Sequence, residues 1–244
     1  MFEKYINNRF FALFFFPVIL GSATILSFNP FNITILNFII FPLFFYLIAY
    51  VNKKSKSIYR KKPFRKNLFI LGLSFGFGFF LSGTSWIINS LTFDESFKTL
   101  IPIALILIPL FLGLFMALTI LLIGPYLKLN LSSLIIFSIG LSLSDYLRAI
   151  VFTGFPWNLW AYSTAWLNEV IQIVNLIGLY AYNLLIITLF TLPIIIVFSI
   201  SFIKKFFYTL TWILTILFLF IYGNYEINKN RKFLDKIDKK AYIK

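Results

Sequence analysis

The sequence contains neither cysteine nor histidine among its 244 residues. The chain can therefore form no disulfide, thiolate nucleophile, histidine base or Cys/His metal site. Paired carboxylates, a Ser/Lys nucleophile arrangement and a phosphate-cradling glycine loop are also missing. We therefore expect no catalytic residue, no metal and no cofactor in this chain.

Charge is also scarce, because only 12% of the residues are charged while 60% are hydrophobic, against about 25% charged in an ordinary soluble domain. A+T-rich coding could by itself enrich Phe, Ile, Asn and Lys. It would not explain why the charges cluster and why the apolar runs between them are long. A bilayer core about 30 Å thick needs about 20 apolar helical residues to cross it. Seven stretches of about that length occur: 10–28, 33–51, 68–91, 100–123, 131–151, 178–203 and 206–222.

The sequence thus predicts an all-α fold, a polytopic transmembrane helix bundle of about seven spans with no soluble domain. Residues 1–222 form the predicted bundle, and residues 223–244 form a basic polar C-terminal tail. No internal repeat or low-complexity linker divides the chain. We therefore treat everything before the tail as one domain.

The positions of the basic residues predict the orientation. Loop 52–67 carries eight Lys/Arg residues and no acid, so the positive-inside rule places it in the cytoplasm. Seven spans then put the N-terminus inside and the C-terminal tail outside, although an even number would put that basic tail inside. The net charge of +14 is typical of such topology and of anionic lipid, and we expect no nucleic-acid partner.

Asp145 and Arg148 are charged residues inside the fifth predicted span. Three positions apart, they share one helix face and can pair. Charges inside a membrane are costly unless they find a partner, and they often mark functional sites. Two interpretations stay open: a functional group, or a structural ion pair near the outer end of the span.

A helix break and a cluster of tryptophans follow Arg148. Pro156 cannot continue a helix, and Gly154 frees the backbone just before it. Four of the five tryptophans are predicted at the outer face, namely Trp86, Trp157, Trp160 and Trp166. They predict either an aromatic belt at the headgroup level or a re-entrant turn that lines a lipid-facing vestibule.

Two further patterns predict helix contacts. Small residues give the third span a face suited to close packing: Gly72, Ser74, Gly76, Gly78, Ser82 and Gly83. Polar residues recur near helical spacing around the start of the sixth span, and we expect them to face other helices rather than lipid: Glu169, Gln172, Asn175, Tyr182 and Asn183.

Four runs in order carry a family resemblance: LSFNPFN at 26–32, GFGFFLSGTSWIINSL at 76–91, DYLRAIVFTGFPWNLWAYS at 145–163 and GLYAYNLLI at 178–186. They resemble the membrane portion of the bacterial apolipoprotein N-acyltransferases, which acylate the N-terminal cysteine of lipoproteins from phospholipid. The resemblance implies a multi-pass protein of the bacterial inner (plasma) membrane, with phospholipid and lipoprotein substrate as partners. It also implies a lipid or substrate site at the outer face, above Asp145 and Arg148: Gly154, Phe155, Pro156, Trp157, Trp86 and Tyr162.

One departure from the family limits what the resemblance implies. In the family the seventh span leads to a nitrilase-like domain with a Glu-Lys-Cys triad, whereas this sequence has no Cys and none of that domain. We expect the membrane portion of an acyltransferase, split or truncated, inactive alone and dependent on a separate nitrilase-like chain. The alternatives are a stand-alone lipid-binding or transporter-like protein, or the product of a decaying gene.

Overall fold

The computed structural model describes residues 8–58, 64–151, 154–199 and 201–241, with side chains omitted for 54–58, 64 and 235–241. Within these ranges the chain forms helices and turns and no strand, which confirms the all-α prediction. Six described helices are long and apolar enough to cross a membrane. They are α2 (Asn37–Ile58), α3 (Phe64–Thr84), α4 (Ile101–Ile123), α5 (Leu131–Ile150), α8 (Leu179–Phe198) and α9 (Phe202–Ala241).

The first predicted span is a shorter apolar helix, α1 (Phe11–Ser27), and two short helices, α6 (Asn168–Ile171) and α7 (Val174–Ile177), precede α8. Helix α1 packs along α3, where a side chain at Gly21 or Gly78 would overlap the backbone of Phe75 or Val18. Ser22 also donates to the Gly78 carbonyl at 3.1 Å. Within the described residues, six helices are therefore long enough to cross a membrane, and α1 is a shorter apolar segment beside them.

Two other glycines of α3, Gly72 and Gly76, pack against a second helix, α4. A Cβ at Gly72 would lie 2.9 Å from the Met116 carbonyl oxygen, and one at Gly76 would lie 2.9 Å from the Gly113 Cα of α4. Such distances are too short for real Cβ contacts, so the two backbones touch because neither glycine has a side chain. The glycines therefore lie on two faces of α3 and not on the single predicted face, with Gly78 toward α1 and with Gly72 and Gly76 toward α4.

One predicted span boundary agrees with the structure and another is wrong. The third span was expected to reach residue 91, and the helical segment continues to Thr92. Within it the α-helix α3 ends at Thr84, whose hydroxyl donates to the Phe80 carbonyl at 2.6 Å, and a 3₁₀ helix follows. A hydroxyl that bonds back into its own helix favours bends and ends. The sixth span was expected to reach residue 203, but α8 ends at Phe198 and α9 begins at Phe202. The connection contains two serines and no charge, so it hardly interrupts the apolar run and hydropathy does not reveal the turn.

Several basic segments lie at one end of the bundle, which we call the basic end, whereas the basic C-terminal part of α9 lies beyond the opposite end. Arg9 donates to Asn67 at 2.9 Å, and the Asn52 side chain donates to the carbonyl oxygens of Pro125 and Leu127 at 3.1 and 3.2 Å. The opposite end carries residues 85–100 and 154–166, and we call it the aromatic end.

Helix α9 is unusual in its length and exposure. Its 40 residues would extend about 60 Å, roughly twice the bilayer core. The helix continues without a break through the segment predicted as a tail, as far as Ala241. At the aromatic end its Gly223 lies against the backbone of Glu169, with no room for a side chain. Close contact at Gly223 fixes where α9 passes the aromatic end.

Candidate lipid-binding site

The site is built on the end of α5. The helix stops at Ile150 and the backbone extends at Val151. Gly154 has a φ of +75°, and a Cβ there would overlap the Ala149 carbonyl oxygen, so this position requires glycine. The Phe155 amide donates back to the Arg148 carbonyl at 2.9 Å. The predicted break is present, and it begins several residues before Pro156.

Arg148 holds the chain that follows the break. Its guanidinium donates to Oδ1 of Asp145 at 3.0 Å, with both side chains buried. The other terminal nitrogen donates to the carbonyl oxygens of Phe155 at 2.6 Å and Trp157 at 2.7 Å. The guanidinium also lies over the Phe80 ring, 5.1 Å from its centroid. One buried charge thus fixes the backbone on both sides of Pro156.

Asn183 of α8 completes this cluster. Its Nδ2 donates to the second carboxylate oxygen of Asp145 at 2.9 Å, and its Oδ1 accepts from the Ala161 amide at 2.9 Å. The neighbouring Tyr182 hydroxyl lies 2.6 Å from the hydroxyl of Thr164. The polar stripe therefore faces the bundle at these two positions, whereas Asn175, expected to face it as well, is exposed.

A second polar network anchors the far end of the same segment, and no pattern in the sequence predicted it. Asn37 donates to the Ser163 hydroxyl at 3.2 Å and accepts from Ser27 at 3.0 Å. Thr34 donates to the Ser163 carbonyl and accepts from the Trp166 indole at 2.8 Å. These residues are neutral, and three of the four bonds join partners more than a hundred positions apart, which no helical spacing relates.

The prediction that Trp160 lies in an aromatic belt at the headgroup level is wrong. Its side chain is fully buried, stacked on Phe79 with ring centroids 4.3 Å apart and edge-on to Phe41 at 4.8 Å. Irregular backbone can lie inside a membrane protein where protein surrounds it. The segment after Pro156 therefore turns back into the bundle, and Trp160 belongs to the aromatic core rather than to a belt.

Beside this segment lies a mostly apolar cleft of about 480 Å³. One side is formed by α4, with Leu107 and Phe111, and the other by Arg148, Gly154 and Phe155. Ile87, from the 3₁₀ helix after α3, also lines it. The arrangement offers a lipid-sized apolar space whose second wall is held in place by the buried Arg148.

The six residues predicted for the lipid site separate into three groups. Gly154 and Phe155 line the cleft. Trp157 and Trp86 are about half exposed, with ring centroids 5.7 Å apart, and Pro156 between them and the cleft wall is exposed. Tyr162 is half-buried and packs against the core, away from the residues that line this cleft.

Comparison with known proteins agrees with the architecture. Residues 20–192, well over half of the chain, match the family described as "Apolipoprotein N-acyltransferase N-terminal domain". Proteins named apolipoprotein N-acyltransferase from Brucella melitensis and Brucella suis are each 32% identical over 176 residues, and one from Sinorhizobium medicae is 30% identical over 175.

Each of these alignments covers 71% of this chain and 32% of the relative. The chain thus matches about a third of the length of these curated relatives. The match falls on the part of the sequence that forms the bundle from α1 to α8. This multi-pass membrane protein therefore belongs to the family of the apolipoprotein N-acyltransferase N-terminal domain.

Proposed function

We propose that the cleft at the aromatic end binds an acyl chain of a membrane phospholipid, in support of phospholipid-dependent N-acylation of lipoproteins. The relatives are named for that acylation. Acyl transfer needs a nucleophile, and this sequence has no cysteine. The proposal therefore assigns the transfer step to a nitrilase-like catalytic unit, and lipid presentation to the bundle.

The cleft is the observation that carries the proposal. Its walls are mostly apolar, and one of them comes from segment 145–163, which is one of the four runs that carry the family resemblance. Within a bilayer, lipid tails are as apolar as leucine, so an acyl chain gains little from hydrophobic transfer alone. Such a site can therefore distinguish one acyl chain from another only by shape and packing, and this requires walls that are held in fixed positions.

The buried polar cluster supplies that rigidity. Arg148 contacts the carbonyl oxygens of Phe155 and Trp157, and its charge is balanced by Asp145. These bonds hold the cleft wall in position. The exposed rings of Trp86 and Trp157 suit the headgroup layer, where amphipathic aromatic side chains concentrate.

The proposed orientation places the basic end in the cytoplasm and the aromatic end at the periplasmic face of the bacterial inner membrane. The basic residues Arg9 and Lys128 and the basic residues of loop 52–67 support it, because positive charge is retained on the cytoplasmic side. The basic C-terminal part of α9 would then lie on the periplasmic side. A cleft at the periplasmic face would lie in the leaflet nearest to lipoprotein substrates. The catalytic unit would then meet the lipid at that face.

The experiment is photo-crosslinking in nanodiscs with a phospholipid that carries a diazirine in its acyl chain. Leu107→Trp fills the cleft, and Leu118→Trp is its control, because Leu118 is an exposed α4 residue outside the cleft. We expect Leu107→Trp alone to reduce labelling of peptides that contain Phe155. A weakening of about 1.4 kcal/mol corresponds to about tenfold. Equal labelling of both variants would contradict the proposal.

A further inference from the structure

The connection between α3 and α4 is the most exposed apolar part of the aromatic end. It consists of two 3₁₀ helices, Ser85–Thr92 and Glu95–Leu100, and we call residues 85–100 the interfacial loop. Phe93 is 90% exposed and Phe97 is 49% exposed. Large exposed apolar groups of this kind mark contacts with another protein or with a membrane.

The two acidic groups of the interfacial loop have partners within the loop. Asp94 accepts from the Ser96 amide at 2.9 Å and from its hydroxyl at 2.7 Å, and Glu95 pairs with Lys98. The bonds from Ser96 lower the pKa of the Asp94 carboxyl, which therefore remains ionised at neutral pH. The acidic groups are thus paired, whereas the apolar rings of Phe93 and Phe97 remain exposed.

The exposed rings continue a lipid-facing surface. Phe97 and Leu100 are followed on α4 by Ile103 and Leu107, all exposed and spaced three or four residues apart. Helical residues at this spacing lie on one face. Because α4 is long and apolar enough to span a membrane, its exposed face contacts lipid, and the loop extends that face.

We propose that the interfacial loop lies in the headgroup layer of the adjacent leaflet, with Phe93 and Phe97 inserted among the lipid acyl chains. The ionised Asp94 directly after Phe93 limits how deeply the loop can enter the membrane. Phe93 must reach the acyl chains while the carboxylate of Asp94 stays hydrated. The formal charge of the loop is only −1, from Asp94, Glu95 and Lys98. Insertion is therefore driven by apolar contact and is independent of anionic lipid. This inference does not depend on the proposed function.

Site-directed spin labelling tests the inference, because the sequence has no native cysteine. The spin label is attached to Phe93→Cys or Phe97→Cys in nanodiscs. Its collisions with oxygen, which dissolves in the acyl chains, and with a water-soluble nickel chelate are then measured. Ile103→Cys is the lipid-facing control, and Ser90→Cys, in the same loop with only a local hydroxyl bond, is the polar control.

We expect labels at Phe93 and Phe97 to collide with oxygen more than with nickel, at a depth between those of the two controls. The depth should be equal in zwitterionic nanodiscs and in nanodiscs that contain anionic phospholipid. Nickel collisions at Phe93 as frequent as at Ser90 would mean that the loop lies in water. Protection from both reagents would mean that protein covers the rings. Either result, or a depth that requires anionic lipid, would overturn the proposal.

Discussion

The side-chain amide of Asn183 donates to the carboxylate of Asp145 at 2.9 Å, although 38 positions separate the two residues. This bond joins α8 to α5 at the point where α5 ends. Through Arg148, the same carboxylate is connected to the carbonyl oxygens of Phe155 and Trp157. The wall of the cleft is thus tied to two helices through one buried carboxylate.

The first prediction concerns the Asp145–Arg148 pair. Asp145→Asn or Arg148→Met alone leaves one buried charge without its partner, which costs about 3–5 kcal/mol. The double variant should be less destabilised than the sum of the two single variants. Thermal unfolding in detergent of all four proteins gives the coupling free energy. Additive losses would indicate that the two groups do not stabilise each other.

Asn183→Leu should loosen the segment after the helix break. The change removes bonds to Asp145 and to the Ala161 amide, and unmet buried polar groups cost about 1–3 kcal/mol each. Limited proteolysis should then cut near Ala161 in the variant. Thr188→Val is the control, because the Thr188 hydroxyl bonds only to Leu184 of its own helix. Equal protection in both variants would exclude a positioning role for Asn183.

Gly78→Ala tests the contact between α1 and α3. The new methyl group would overlap the backbone carbonyl of Val18, and overpacking of this kind costs about 1–3 kcal/mol. The matched change Gly140→Ala meets the end of the flexible Ile123 side chain at 2.7 Å, which can rotate away. Thermal unfolding should give a clearly lower midpoint for Gly78→Ala. The reverse order would contradict the described helix contact.

Most of the helical architecture could be predicted because apolar length is a strong signal. The predicted span limits failed where the chain turns without becoming charged, as between Phe198 and Phe202. The close approach of α9 to Glu169 at Gly223 is a packing contact that the sequence pattern does not reveal. Hydropathy indicates which segments are apolar enough to lie in a bilayer. It does not indicate where contacts with neighbouring helices end a helix.

The site was predictable where residue types carry chemistry. Asp145 with Arg148, and the break at Gly154, follow from spacing and backbone preference. Trp160 was misplaced because a buried indole and an interfacial indole look alike in sequence. Phe111 opposite Phe155 could not be foreseen either, since a leucine or phenylalanine of the cleft is indistinguishable from one that faces lipid.

The orientation can be tested with single cysteines, because no native thiol competes. Ser57→Cys lies near the basic end, and Thr99→Cys lies in the interfacial loop. A membrane-impermeant maleimide added outside intact spheroplasts should label Thr99→Cys and spare Ser57→Cys, which should react after lysis. Labelling of Ser57→Cys in intact spheroplasts would reverse the proposed topology.

The last prediction separates two roles for Trp157, whose ring is about half exposed and packs edge-on against Trp86. If the ring guides an acyl chain at the mouth of the cleft, Trp157→Ala should lower photo-crosslinking of a phospholipid analogue at matched expression. Folding should survive, because the bond from Arg148 reaches the Trp157 backbone carbonyl and not its ring.

Trp166→Ala is the control, since Trp166 is similarly exposed but bonds to Thr34 instead. A simple belt anchor contributes to stability by filling the headgroup layer, and its loss should leave crosslinking unchanged. Equal yields for Trp157→Ala and the wild type, or labelling concentrated near Lys128 at the basic end, would leave Trp157 with that role alone. A loss of yield confined to Trp157→Ala would instead identify the ring as part of the lipid path.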